Sequence, residues 1–155
     1  MHRDAAVVTG SVAQIPQEIA EELNIYVIPF IVYVNWEEHR DGIDITPGEL
    51  YRRMRVEQVE VQTAAPTVGD YYSSFKNLYE TGIRKILCIT LSNNLSSAYS
   101  AAINAANLIQ AEFSDLQVVV LDCHRAAVPQ GFLAIEAAKK INVGESFEDV
   151  VAYVN

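Results

Sequence analysis

Short, continuous apolar runs alternate along this chain with longer stretches in which apolar positions return every three or four residues. The runs at 5–9, 25–34, 83–91 and 116–121 are rich in Val, Ile and Leu, and each predicts a buried β-strand. The stretches between them have helical spacing. Pro16 opens one that continues to Asn24 with Ile19, Ala20 and Leu23 on one face. Thr46-Pro47-Gly48-Glu49 announces another, with Thr as N-cap and Glu completing a capping-box pattern, and it fades after Arg55. Further helices are predicted over 67–79, closed by Gly82, over 95–113 and over 130–141, and Ser146 starts one more. Two segments break the rhythm: 37–44 is polar and carries Asp41-Gly42, a turn or hairpin signal, and 56–66 reads as an exposed connection.

Strands alternating with helices predict an α/β fold of three layers, α/β/α, with a mainly parallel sheet of at least four strands covered on both faces. In such folds ligands bind beyond the carboxyl ends of the strands. The loops there are Thr9-Gly10-Ser11, residues 92–97 and Asp122-Cys123-His124, and the connection carrying Thr63 can reach the same rim. These loops are rich in hydroxyls and amides, among them Ser11, Ser92, Asn93 and Ser96. Because 92–97 runs into a helix, its unpaired backbone N–H groups favour an anionic head group. Ser and Asn also serve as plain N-caps and turn formers, and at this level both readings stand.

Composition narrows the choice. At 155 residues, half of them apolar and a fifth charged, the chain has the make-up of one globular domain. A net charge of −9 argues against a nucleic-acid partner, and the basic run Arg52, Arg53 and Arg55 reads as a solvated helix face. Cys88 and Cys123 sit in apolar runs, which predicts free, buried thiols and a cytoplasmic setting. No run approaches the roughly 18 apolar residues of a membrane span. Neither a P-loop nor a three-glycine dinucleotide fingerprint is present, so no nucleotide cofactor is expected. Asp41 and Asp44 flank a turn beside Arg40 and read as an ion-paired turn, not a metal site, and Asp122 reads as a cap. An enzyme would draw on Ser92 or Ser11 with His124 as base, as an acyl hydrolase or transferase.

A specific resemblance lies in the ordered set of motifs. Val8-Thr9-Gly10-Ser11, Ile15-Pro16, Ile28-Pro29, Arg40-Asp41-Gly42-Ile43-Asp44-Ile45 and Leu50-Tyr51 resemble the amino-terminal domain of the DegV family. The similarity continues through Thr63-Ala64-Ala65-Pro66, Gly69-Asp70, Leu91-Ser92-Asn93-Asn94-Leu95-Ser96-Ser97-Ala98-Tyr99 and Leu121-Asp122, nearly the whole chain. The family's proteins are bacterial fatty-acid-binding proteins of two α/β domains, and some present the bound acid to a fatty-acid kinase. The resemblance implies a non-catalytic carrier of a long-chain fatty acid, with the head group on hydroxyls and backbone amides and the acyl chain in an apolar tunnel. It implies ligand-binding roles for Ser11, Thr63, Ser92, Asn93 and Ser96, no cofactor and no metal, and one lipid-binding domain over 1–155 without the family's second domain.

The chain departs from the family pattern at Gly10, where Asp is usual, at Ala64 and Asn93, where Ser is usual, and at Arg125 and Pro129, which replace small residues. The departures at Gly10, Ala64 and Asn93 motivate a third reading, a degenerate, ligand-free or scaffold-like domain. The expected pose puts the anionic head at the amino end of the 95–113 helix and the tail between that helix and the sheet, where Ala98, Ala101 and Ala102 are small.

Overall fold

The computed structural model of this protein describes residues 4–155. Four parallel strands, β1 (Ala5–Gly10), β2 (Ile25–Ile28), β6 (Lys85–Thr90) and β7 (Gln117–Asp122), form a sheet in the order β2-β1-β6-β7. Val8 pairs with Tyr26 on one side and Cys88 on the other, and Cys88 with Val120. One face is covered by α3 (Val68–Glu80) and α4 (Ala98–Glu112), whose Phe75, Leu78, Ala102 and Ile109 pack on Ala6, Val8, Ile86 and Val118. The other face carries α1 (Gln17–Leu23), α5 (Val128–Asn142) and α6 (Phe147–Val154), with Ala20, Ala134 and Val150 against Val7, Leu87 and Ile89. This is the three-layer α/β arrangement that the alternation predicts.

The run at 25–34 does not stay in one strand. Pro29 cannot donate to a ladder, and the chain leaves the parallel sheet at Ile28 and resumes as β3 (Ile31–Val34) in a second sheet. That sheet is antiparallel, in the order β4-β3-β5, with β4 at Glu37–Arg40 and β5 at Val61–Ala64. The hairpin between β3 and β4 turns on Asn35 and Trp36, both at positive φ (49° and 71°), the two-residue geometry whose twist matches its flanking strands. Asp41-Gly42 instead lies beyond β4, in a turn closed by Arg40, which donates to Asp44 from its backbone N–H (2.9 Å) and its Nε (2.8 Å). Those hydrogen bonds hold the Asp44 carboxyl well below the usual carboxylate range.

The exposed connection expected over 56–66 therefore contains a strand. Val59-Glu60-Val61-Gln62 alternates apolar and polar in the period of a half-exposed strand, and Val61 pairs with Val34. The second sheet has a small core of its own, Val32, Val34 and Ile45, with Leu50, Val59 and Val61 packed on it.

Helix α2 (Pro47–Val56) shows half of its expected cap. Thr46 Oγ1 accepts from the Glu49 N–H at 3.2 Å, but the Glu49 carboxylate turns to Arg52 instead of back to the cap. The full reciprocal box belongs to Thr67 and Asp70 at the start of α3. Arg52 and Arg53 both pair with Glu57, so the basic run is a charge-paired helix face. Cys88 and Cys123 are free and buried, and burial pushes both thiols up. No helix among the described residues is long and apolar enough to cross a membrane.

Candidate functional site

A broad groove with a volume of 1630 Å³ opens between the carboxyl edge of the four-stranded sheet and the three-stranded sheet. Its walls come from the loop after β1, from α1 and β2, from β3 and the start of α2, and from the segment after β5. The loops after β6 and β7 close its upper rim through Leu91, Leu95, Ser96 and Ala127. Most of the lining is apolar, as in small-molecule sites that bury a ligand's bulk and fix its orientation with a few polar groups. Among the described residues that line the groove none is Lys or Arg, while Glu21 and Asp41 are acidic. Any head group held here is held by hydroxyls and backbone dipoles.

Three of the expected site residues line this groove: Ser11, Thr63 and Ser96. Ser11 opens the single 3-10 turn (Ser11–Ala13) that follows β1, and its Oγ accepts the Phe30 N–H at 3.0 Å, which leaves its own O–H to donate. Thr63 stands exposed on β5, and its hydroxyl makes no hydrogen bond within the described chain. Ser96 Oγ accepts from the Ala98 N–H at 3.2 Å, capping the first turn of α4, and its O–H likewise remains a donor.

Ser92 and Asn93 are placed differently: they belong to the same loop but do not line the groove. Ser92 is buried, its N–H donating to the Arg125 carbonyl at 2.8 Å and its Oγ accepting from the Asn94 N–H at 3.3 Å. Asn93 turns toward the β7 side, with its N–H on Asp122 Oδ2 (3.1 Å) and its Oδ1 accepting from the Ser100 hydroxyl (3.3 Å). Asp122 also accepts the His124 N–H at 2.8 Å and so acts as the loop cap that its position suggests.

The small residues expected to make room for a tail do not line the groove: Ala98 and Ala102 are fully buried among core side chains, where their small size lets α4 approach closely. The groove lies on the other side, along α1 and β2. Sequence reasoning missed Phe30, Leu91 and the Ala126-Ala127 pair as wall residues. The signal for Phe30 was the proline before it, which takes the chain out of the first sheet at the rim.

Among the described residues no hydrogen bond joins His124 to Ser11 or Ser92, the pairing that serine chemistry would need: the His124 side chain is 81% exposed and its Nδ1 stands 3.4 Å from Asp122 Oδ2, while the Ser11 and Ser92 hydroxyls accept from the Phe30 and Asn94 N–H groups. Among the described residues no cluster of His, Cys, Asp or Glu could hold a metal ion. Beneath the site, Thr9 Oγ1 donates to the Ile89 carbonyl (2.8 Å) and accepts from Gln130 Nε2 (2.9 Å), a buried bridge that ties α5 to the strand ends.

Ala127 lies at φ 57°, ψ −135°, a region that only glycine occupies without strain, which costs of order 1–3 kcal/mol. Ala127→Gly relieves it and should raise stability by about 1 kcal/mol after the added unfolded-state entropy is counted. A higher denaturation midpoint in urea checks this.

Comparison with known proteins completes the picture. A family model described as "uncharacterised protein, DegV family" matches residues 4–155. A DegV domain-containing protein of Listeria monocytogenes is 28% identical over 151 residues, covering 97% of this chain and 52% of that protein. Among solved structures, a stearic acid-binding protein of Eubacterium ventriosum superposes with a TM-score of 0.88 at 28% identity, covering 99% of this chain and 52% of the other. DegV of Bacillus subtilis, a fatty acid binding protein, gives 0.89 at 27% identity over 98% of this chain and 52% of that one. The chain thus spans about half the length of the relatives it matches. With the fold and almost its entire length shared with these proteins, the chain belongs to the DegV family.

Proposed function

We propose that this protein binds a long-chain fatty acid in the groove between its two sheets, without catalysing a reaction on it. The observation that carries this reading is the convergence of Ser11, Thr63 and Ser96, three hydroxyls from separate parts of the chain, on one mostly apolar groove. Their O–H groups suit a carboxylate, which accepts several hydrogen bonds, and the adjoining start of α4 favours negative charge. The Ser92-Asn93 segment takes part by fixing the loop that carries Ser96. Apolar walls supply the affinity, since each buried methylene contributes about 0.8 kcal/mol. Relatives of the same fold that bind fatty acids support the assignment.

Handing the acid to a fatty-acid kinase, as the family resemblance implies, requires a reachable carboxylate, and the half-open rim at Leu95, 69% exposed, is compatible with that. Calorimetric titration of the full chain with palmitic acid tests the reading. We expect saturable one-site binding, and phosphorylation of the bound acid when a fatty-acid kinase and ATP are added. No binding, or turnover of acyl esters that His124→Ala abolishes, would reject the carrier assignment.

A further inference from the structure

The two sheets have separate cores, and one small cluster joins them. It consists of Phe30, Leu91 and Ala98, with Val12, Ala65 and Ala126 packed around them. Phe30 is its centre and is bonded on both sides of the joint: its N–H donates to Ser11 Oγ (3.0 Å) at the end of β1, and its carbonyl accepts the Asp41 N–H (2.9 Å) beyond β4. The ring is only 6% exposed and lies over Gly10, where an added Cβ would stand 2.7 Å from Phe30 Cε2. Gly10 has ordinary extended backbone (φ −90°, ψ 161°), which any residue adopts. The ring, and not the backbone, is what requires a glycine there.

We propose that the seating of Phe30 on Gly10 is a positioning contact that sets how far the Thr63-bearing sheet stands from the Ser11 and Ser96 loops. It thereby decides whether the three hydroxyls reach one carboxylate. Phe30 acts through the sheet it carries: β3 follows it directly, and β3 pairs Val32 with Thr63. A side chain at position 10 would lift the ring, tilt the second sheet and separate Thr63 from Ser96, and because Phe30 is one wall residue among many the rest of the apolar lining would stay. This inference rests on the fatty-acid reading and deepens it.

The test compares palmitic acid with its methyl ester on the 155-residue chain, using the unchanged protein, Gly10→Ala, Phe30→Leu and the double variant. The unchanged protein should prefer the acid by about ten- to a hundredfold, the worth of charge-assisted hydrogen bonds. In Gly10→Ala that preference should collapse to within about threefold, the acid losing much more affinity than the ester because Phe30 is only one of the wall residues, and adding Phe30→Leu, which frees space above position 10, should restore most of the preference. If Gly10→Ala does not fold, Phe30→Leu alone carries the test, because the looser seat should also reduce the preference for the acid. An intact preference in both single variants, or an equal loss of acid and ester, overturns the positioning role. Failure of the unchanged protein to bind the acid overturns the fatty-acid reading itself.

Discussion

Gly131→Ala is expected to destabilise the fold by about 2 kcal/mol. Gly131 is buried in the first turns of α5, where an added Cβ would stand 2.4 Å from the Ala13 carbonyl oxygen and 3.3 Å from Ile15 Cγ1. The carbonyl cannot swing aside cheaply, because it belongs to the 3-10 turn after β1, which is closed by the Gln14 N–H on the Ser11 carbonyl at 3.0 Å. Alanine's better helix propensity returns about 1 kcal/mol, less than the overlap costs. The helix must therefore retreat from the turn that presents Ser11. Urea unfolding should show a lower midpoint at unchanged slope. Gly48→Ala in α2, with no atom within 4 Å of the added Cβ, should be neutral or slightly stabilising and serves as the control. Equal behaviour of the two variants would mean that α5 does not approach the turn as closely as described.

The largest expected effect on binding is at Thr63. Thr63→Val keeps the β-branched shape that suits β5 and removes only the hydroxyl, so the ladder to Val32 should survive. Thr63 is exposed and lines the groove, and on the proposed reading the loss of its hydroxyl would remove one charge-assisted hydrogen bond to the carboxylate. Such a bond is worth about 1.5–3 kcal/mol, so palmitic acid should bind about ten- to a hundredfold more weakly. Methyl palmitate should bind the variant nearly as well as it binds the unchanged protein. Calorimetric titration of both ligands measures the difference, and an unchanged acid affinity would remove Thr63 from the site.

The parallel sheet was legible because its strands are continuous apolar runs, and burial on both faces demands that pattern at Val7-Val8 and at Ile86-Leu87-Cys88-Ile89. The second sheet was not, because its strands are short and mostly half-exposed. β4 is Glu37-Glu38-His39-Arg40, with no apolar residue, and becomes a strand only by pairing with β3. The break at Pro29 was visible in the residues, yet apolarity on both of its sides hid the change of sheet.

The site divided along a similar line. Ser11 follows β1 directly and Ser96 lies in the loop between β6 and α4, and strand-end logic places both at the rim. Thr63 owes its position to β5, which tertiary pairing creates; the sequence showed only that its connection can reach the rim, and the motif resemblance singled the residue out. Ser92 and Asn93 show the opposite case. Their residue types suit a head group, but hydrogen bonds to the Arg125 carbonyl, the Asn94 N–H and the Asp122 carboxylate hold them, and neither lines the groove. Which hydroxyl of a Ser-Asn loop caps its own turn and which faces outward depends on loop geometry that residue identity does not encode.

The central claim, that the groove between the two sheets holds a fatty acid, is tested most directly by mass spectrometry of lipid extracted from the 155-residue chain purified after bacterial expression. The account predicts long-chain free fatty acid in near-equimolar amount, with much less recovered from Thr63→Val. A protein that carries no fatty acid, and takes up none when palmitic acid is supplied, would contradict it.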